Sequence, residues 1–216
     1  SGESVTITCT NKQKPGTIEL KKAWSGTAGQ TTLNIGTSAG GNQVDTQLTG
    51  AAGAAPLTTE SNTVNSGTYY VSETGGLTDY NSSLACTDNG FPVTPGTDNA
   101  LSVTTGHAIV CTYTNTRKQG KIELQKDFVG TPENVTIKIG TSQNGSEVDS
   151  DVLSADGTDG EHVVNTGNYY VSEVLSTPAN YTSELACYND VDNNGAFNDG
   201  DTPHTVNTTT GQVAIG

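Results

Sequence analysis

Three polar residues occupy positions where a β-strand would turn them toward a hydrophobic core. In "GTIELKK" (16–22), the two-residue period of a strand places Lys22 on the apolar face. In "IVCTYTN" (109–115), the same period places Asn115 on the apolar face. A third strand, "TYYVSE", ends in Glu73, which we expect to point inward as well. Buried polar groups need partners, so the sequence predicts that these three side chains meet.

Lysine, glutamate and asparagine together permit one specific reaction. A buried lysine loses its proton and becomes a nucleophilic amine. A buried glutamic acid polarises the asparagine amide and carries protons while the amine displaces ammonia. The product is an isopeptide bond, formed once per molecule, so the chain is predicted not to be a turnover enzyme. In the alternative interpretation, Lys22 extends to solvent and Glu73 simply pairs with it.

The same motifs occur twice along the chain. "GTIELKK" matches "GKIELQK" at an offset of 104 residues, which makes Lys126 the counterpart of Lys22. "TVNSGTYYVSE" matches "VVNTGNYYVSE" at an offset of 100 residues, which makes Glu173 the counterpart of Glu73. A repeat of this length indicates tandem copies of one structural module.

The ends of the sequence fit the same template in an unusual way. "GESVTITCTNKQKPG" (2–16) matches "GHAIVCTYTNTRKQG" (106–120), so residues 2–11 are expected to be the last strand of a module whose body is missing. Asn11 then takes the place of Asn115. "GQVAIG" (211–216) is expected to begin the last strand of the second module. The predicted segments are an orphan last strand of a preceding or neighbouring module plus linker (1–15), a first module (16–117) and a second module, incomplete at its last strand (118–216).

Composition and pattern favour an all-β chain. Only 31% of the 216 residues are hydrophobic, short alternating runs are separated by turn signals, and no segment has a helical period. The formal net charge of −14 argues against binding to nucleic acid or to an anionic membrane surface. No transmembrane segment is predicted. We found no phosphate-binding loop, nucleophile elbow or histidine cluster, and without a C-x-x-C pair the four cysteines do not predict zinc.

The opening "G-x-I-x-L-x-K", the central "YYVSE" and the closing "CTYTNT" resemble the Cna B-type, or prealbumin-like, repeats of bacterial surface adhesins and pili, the SpaA-type pilins among them. In that family a first-strand lysine is joined to a last-strand asparagine, with a glutamate as catalyst. The resemblance implies two tandem prealbumin-like (Ig-like) β-sandwich modules. It also implies a complete triad (Lys22, Glu73 and Asn115), a second triad without asparagine (Lys126 and Glu173), and an asparagine without lysine (Asn11).

Each of the four cysteines can be assigned to a position in the repeated module. Cys86 and Cys111 belong to the complete module and are the expected disulfide pair. Cys187 corresponds to Cys86, with its partner expected just beyond Gly216, and Cys9 is an orphan like Asn11. Paired cysteines indicate an oxidising compartment. Five N-x-S/T sequons are candidate glycosylation sites in an exported chain: Asn81, Asn134, Asn144, Asn180 and Asn207.

An acidic loop in the second repeat has calcium-ligand spacing. "DVDNNGAFNDGD" (190–201) places side-chain oxygens and a glycine at EF-hand positions 1, 3, 5, 6 and 12. The expected calcium ligands are Asp190, Asp192, Asn194, Asp201 and the backbone carbonyl near Ala196, with Gly195 at the turn. The alternative is an acidic Asn/Gly turn without metal. No cofactor is required by any other motif.

These features predict a structural subunit or repeat unit of an extracellular filament, pilus or adhesin stalk that binds copies of itself head to tail. The second module would be completed either by a natural continuation past residue 216 or by residues 5–11 of a neighbouring subunit. Donation would permit Lys126–Asn11 and Cys187–Cys9 bonds between subunits. The alternative is an adhesin module that binds glycan or a host protein through its loops. Repetition and an aromatic content of 6% argue against that alternative.

Overall fold

The computed structural model describes residues 2–192, 194, 198 and 200–216. It divides into a first compact unit that ends at Arg117 and a second unit, Lys118–Gly216. Strands form both units, and the described residues contain no α-helix. The prediction of an all-β chain with two β-sandwich modules is therefore confirmed. Within these residues, no helix is long and apolar enough to cross a membrane.

The first unit packs two sheets face to face. Its strands are β1 (Pro15–Ser25), β2 (Thr32–Gly36), β3 (Asp45–Leu48), β4 (Asn62–Asn65), β5 (Gly67–Thr74), β6 (Tyr80–Asp88), β7 (Phe91–Val93), β8 (Ala100–Val103) and β9 (Ala108–Arg117), with 3₁₀ turns at Ala51–Gly53 and Thr97–Asn99. One sheet has the order β4-β1-β9-β6-β7 and the other β3-β2-β5-β8. The first and last strands, β1 and β9, are parallel neighbours.

Strict alternation along β1 and β9 builds the core between the sheets. Ile18 and Leu20 on β1 are fully buried, as are Leu33 and Ile35 on the facing sheet. The residues between the buried ones on β1 are partly exposed. Alternation therefore carries the next inward positions, which are polar, into the same core.

The second unit repeats this plan in more fragmented strands. Its strands are β10 (Gln119–Ile122), β11 (Gln125–Lys126), β12 (Val135–Gly140), β13 (Asp149–Leu153), β14 (Gly157–Thr158), β15 (His162–Asn165), β16 (Gly167–Leu175), β17 (Cys187–Asn189), β18 (Thr202–His204), β19 (Val206–Asn207) and β20 (Gln212–Ile215), with a 3₁₀ turn at Pro178–Asn180. The main sheet is β13-β12-β16-β20-β19, and the short strands pair as β10-β15, β11-β14 and β17-β18.

The expectation that residues 211–216 begin a last strand is wrong. β20 pairs with β16 so that Gly167 lies opposite Ile215. In the first unit, the corresponding Gly67 lies opposite Val103 of β8. β20 therefore takes the place of β8, not of β9. The misassignment has a physical reason: "GQVAI" and "GHAIV" are each a glycine and a polar residue followed by three apolar residues, and only their strand partners distinguish the two positions.

The first strand of the second unit is interrupted. "GKIELQK" forms β10 and β11 with a break at Glu123–Leu124, whereas the matching β1 is continuous. β1 pairs on both sides, with β4 and with β9. β10 and β11 pair only with β15 and β14 in the described part of the chain. One-sided pairing explains the interruption.

The N-terminal segment does not form the expected strand. Residues 2–14 are exposed and lie outside regular structure. Two of their apolar side chains are strongly exposed, Val5 at 73% and Ile7 at 82%. A segment with strand-like alternation thus has no sheet of its own in this structure.

Candidate crosslinking site

Lys22 lies at the centre of the first unit's polar cluster. It follows Ile18 and Leu20 on the inner face of β1, and its side chain is 0% exposed. Its Nζ lies 3.3 Å from Glu73 Oε2 and donates a hydrogen bond to the Tyr113 carbonyl at 3.2 Å. The Trp24 ring covers the same nitrogen at 4.4 Å from its centroid. Lys22 therefore does not extend to solvent as the alternative interpretation expected, whereas the pairing with Glu73 that it also expected is present.

Glu73 reaches the cluster from the opposite sheet, near the end of β5. Its side chain is 4% exposed. Its Oε2 accepts a hydrogen bond from Asn115 Nδ2 at 3.2 Å, while the same oxygen contacts Lys22. Its Oε1 is buried and has no hydrogen-bond partner among the described residues. One carboxylate oxygen thus holds both the amine and the amide of the expected reaction.

Asn115 is fully buried on β9, opposite Ser82 of β6. Ser82 Oγ donates a hydrogen bond to Asn115 Oδ1 at 2.8 Å. A donor on this oxygen polarises the amide carbonyl and stabilises the charge that forms when an amine attacks it. The sequence analysis missed Ser82. The available signal was the serine shared by "YNSSLAC" and "YTSELAC", where Ser183 is its counterpart.

Burial sets the electrostatics of this site. Desolvation lowers the pKa of Lys22, and the attraction and hydrogen bond of Glu73 oppose that shift. Burial, and then the charge of Glu73, raises the pKa of Tyr113 to about 12, so its hydroxyl stays protonated. A lysine with a lowered pKa has a larger neutral, nucleophilic fraction. The arrangement therefore suits attack of the Lys22 amine on the Asn115 amide.

The second unit contains the matching half of the site. Lys126 Nζ lies 2.9 Å from Glu173 Oε2, and their side chains are 17% and 24% exposed. Phe128 replaces Trp24 beside the amine, at 4.8 Å. Ser183 Oγ donates to Glu173 Oε1, not to an amide. Asn11, the residue predicted to serve this lysine, lies exposed in the segment 2–14.

The cysteines divide into one bonded pair and two free thiols. Cys86 and Cys111 lie directly opposite each other on β6 and β9 and form a disulfide with an S–S distance of 2.03 Å. This is the pair named from the sequence. Cys9 is free and exposed, and Cys187 is free and half-buried. Burial raises the pKa of the Cys187 thiol, which keeps it protonated.

The acidic loop of the second unit gathers three carboxylates. Oxygens of Asp190, Asp192 and Asp201 lie within 4.8 Å of one another. Asn194 Nδ2 donates to Asp192 Oδ2 at 2.8 Å. The turn residue Gly195 and the Ala196 carbonyl of the calcium prediction lie outside the described residues. All five sequon asparagines are exposed: Asn81, Asn134, Asn144, Asn180 and Asn207.

Comparisons with known proteins give structural matches only. No protein-family model matches the sequence, and no curated protein matches it. A shaft pilin, SpaA from Lactobacillus rhamnosus GG (D295N mutant), is 14% identical, with a TM-score of 0.29 over 76% of this chain and 89% of the pilin. A leucine-rich repeat protein from Bacteroides thetaiotaomicron is also 14% identical, with a TM-score of 0.22 over 75% of this chain. The chain spans 22% of that protein.

Proposed function

We propose that this chain is a structural subunit or repeat unit of an extracellular filament or stalk, stiffened by a Lys22–Asn115 isopeptide bond. One observation carries the proposal: Glu73 Oε2 contacts both the Lys22 amine and the Asn115 amide in a site closed to solvent. A buried charge pair that also holds an amide is a poor choice for stability alone, because its desolvation is costly. The disulfide and the exposed sequons favour an exported protein.

The reaction balances within the three side chains. The neutral Lys22 amine attacks Asn115 Cγ, while Ser82 Oγ stabilises the charge that develops on Oδ1. Glu73 takes a proton from the attacking nitrogen and passes it to the leaving amide nitrogen. Ammonia departs, an N–C bond replaces the original C–N bond of the amide, and Glu73 regains its starting state. No cofactor or oxidant is needed.

The proposed bond lies where force enters and leaves the first unit. β1 and β9 are parallel neighbours, paired from Thr17–Ala108 to Ser25–Thr116. Tension applied at the start of β1 and the end of β9 would shear this pair. A bond from Lys22 to Asn115 carries the tension between the strands and leaves residues 23–114 in an unstretched loop. The function is therefore mechanical, and the bond also resists unfolding and proteolysis.

Intact mass tests the internal bond. The reduced wild-type chain should weigh about 17 Da less than its sequence mass, the loss of one ammonia. Glu73→Ala should restore the full mass, and the matched Glu173→Ala in the second unit should not. A joined Lys22–Asn115 peptide in a digest locates the bond. Full mass in the wild-type chain would refute the proposal.

We further propose that residues 5–11 of another copy of the chain complete the second unit. Among its described strands, none lies beside β10 and β11 in the position that β9 takes beside β1. Residues 2–16 match residues 106–120, which include β9, and they lie exposed outside any sheet. Strand addition of this kind joins subunits head to tail and builds a fibre.

The register of the first unit favours one of the two proposed intersubunit bonds. With Asn11 in the place of Asn115, Ile7 takes the place of Cys111 and Cys9 the place of Tyr113. Cys111 lies opposite Cys86, the counterpart of Cys187, whereas Tyr113 lies opposite Leu84. Cys9 would then lie two residues away from the position opposite Cys187, which is too far for a disulfide in an undistorted sheet. We therefore favour Lys126–Asn11 over Cys187–Cys9.

Denaturing electrophoresis of the 216-residue chain tests donation. Boiling with reductant should leave a ladder of multimers of the 22.2 kDa chain. Asn11→Ala should abolish the ladder and Cys9→Ser should preserve it. A single band at the chain mass from concentrated wild-type protein would refute covalent donation. It would not bear on the internal Lys22–Asn115 bond, which the intact mass tests separately.

A further inference from the structure

The second unit holds a cluster of titratable side chains remote in sequence from Lys126 and from the acidic loop. Asp149 begins β13, His162 begins β15, and Asp159 lies in the turn between β14 and β15. His162 Nε2 lies 3.8 Å from Asp149 Oδ2 and 3.7 Å from Asp159 Oδ2. One potential ligand atom from each side chain lies within 4.8 Å of the other two. Three donors from separate elements therefore converge on one point.

The Asp159 carboxylate is buried with half of its hydrogen-bonding capacity unused. Its side chain is 1% exposed. Its Oδ1 accepts a hydrogen bond from the Leu124 backbone N–H at 2.8 Å. Its Oδ2, which faces His162, has no hydrogen-bond partner among the described residues, and neither has His162 Nε2. Two buried, unsatisfied polar atoms that face each other beyond hydrogen-bond distance require an explanation.

In the first unit, the residues at the three corresponding positions hydrogen-bond to one another. Asp45, Thr59 and Asn62 are the counterparts of Asp149, Asp159 and His162. Asn62 Nδ2 donates to Asp45 Oδ2 at 2.9 Å and to the Thr59 carbonyl at 3.3 Å. These contacts satisfy the polar groups within the chain.

The backbone anchor is the same in both units. Thr59 Oγ1 accepts from the Leu20 N–H at 3.0 Å, as Asp159 Oδ1 accepts from the Leu124 N–H. The second unit thus keeps the anchor and replaces a closed network of one carboxylate, one hydroxyl and one amide with two carboxylates and an imidazole.

We propose that Asp149, Asp159 and His162 form a binding site for a divalent transition-metal ion, with Zn²⁺ as the best fit. Carboxylate oxygens and an imidazole nitrogen are zinc ligands, with bonds of about 2.0–2.2 Å that place tetrahedral ligand atoms about 3.4 Å apart. The observed separations of 3.7 and 3.8 Å are close to that value and too long for direct hydrogen bonds. Asp149 and His162 are partly exposed, which leaves room for water as a fourth ligand.

The metal would fix the interrupted first strand. Asp159 holds the Leu124 N–H at the break between β10 and β11, while Asp149 and His162 belong to β13 and β15. A metal on all three ligands ties that break to two other strands, two residues before Lys126. This role is separate from the crosslink and does not depend on it.

Zinc titration of the chelator-treated full chain tests the site. The matched control is Asp159→Thr/His162→Asn, which installs the residues that the first unit carries at the same positions. Calorimetry should show one zinc equivalent in the wild-type chain that the control lacks or binds at least 100-fold more weakly. Saturating zinc should raise the Tm of the second unit by about 5 °C or more, in the wild-type chain only.

A second variant tests the site by adding the proposed ligands to the first unit instead of removing them from the second. Thr59→Asp/Asn62→His beside the native Asp45 should add a second zinc equivalent in the first unit. The acidic loop is unchanged in every variant, so any zinc bound there contributes equally to the stoichiometry of the wild-type chain and of the variants. Equal stoichiometry and affinity in the wild-type chain and the folded control would overturn the proposal. So would a wild-type chain that takes up no zinc at micromolar concentration, which would mean that the three side chains interact only with one another.

Discussion

Replacing Glu73 with glutamine should make the stability of the first unit strongly dependent on pH. The substitution keeps the shape of the side chain and removes the charge that opposes the lowered pKa of Lys22. It should also prevent the proposed isopeptide bond, so that unfolding of the first unit becomes measurable. Lys22 then has no carboxylate partner in a site where its side chain is 0% exposed. The folded variant should hold the amine neutral.

The size of the effect follows from the cost of deprotonation. Keeping a lysine neutral costs about 1.36 kcal/mol for each pH unit below its unfolded pKa of about 10.4, or about 4.6 kcal/mol at pH 7 and about 1.9 kcal/mol at pH 9. Below pH 10.4 the unfolded state binds more protons than the folded state, so the free energy of unfolding rises with pH. The expected slope approaches 1.4 kcal/mol per pH unit between pH 7 and pH 9.

Urea denaturation followed by tryptophan fluorescence measures this slope for the first unit alone. Trp24 is the chain's single tryptophan and lies 4.4 Å from Lys22 Nζ. The control, Glu73→Gln/Lys22→Met, carries neither group and should lack the added slope. Equal slopes in both variants would mean that the amine stays hydrated and charged, which would refute the argument for a neutral nucleophile.

Two further substitutions and one chelation experiment complete the predictions. Ser82→Ala should slow crosslinking by about 100-fold, the usual cost of losing one donor to a developing oxyanion, as seen in the rate of mass loss after cell-free synthesis. If Ser82→Ala crosslinks at the wild-type rate, Ser82 takes no part in the mechanism. Calcium, if bound by Asp190, Asp192 and Asp201, should raise the Tm of the second unit, and EDTA or Asp201→Asn should reverse the shift. If EDTA does not change the Tm of the second unit, the loop is an acidic turn that binds no calcium.

Period-2 reasoning was sufficient for the all-β class and for the inward direction of the triad, and the family resemblance implied the β-sandwich architecture. Lys22 and Asn115 are buried as alternation requires, and Glu73 reaches them from β5. Their meeting follows from topology: β1 and β9 are neighbours in one sheet and β5 lies in the other. The internal repeat marked where each module opens and closes, and the family resemblance implied that the first and last strands meet.

Contacts that depend on strand register were not accessible from the sequence. β20 was assigned to the wrong strand because small apolar residues in alternation fit either position, and only pairing with β16 distinguishes them. Asp149, Asp159 and His162 were missed because they stand on separate elements, without a recognised ligand spacing. Their convergence requires the turn before β15 and the pairing of β12 with β13.

Comparison of the two units indicates two roles for the last strand of a module: it brings the asparagine to the lysine, and it shields the lysine from solvent. In the first unit, where β9 is in place, β1 is continuous and the lysine and glutamate side chains are 0% and 4% exposed. In the second, where the described residues place no such strand, the equivalent strand is broken and the exposures are 17% and 24%. A strand docked beside β10 and β11, as proposed, would desolvate the Lys126 amine in the same step that delivers Asn11, and this coupling would restrict the proposed bond to correctly docked strands.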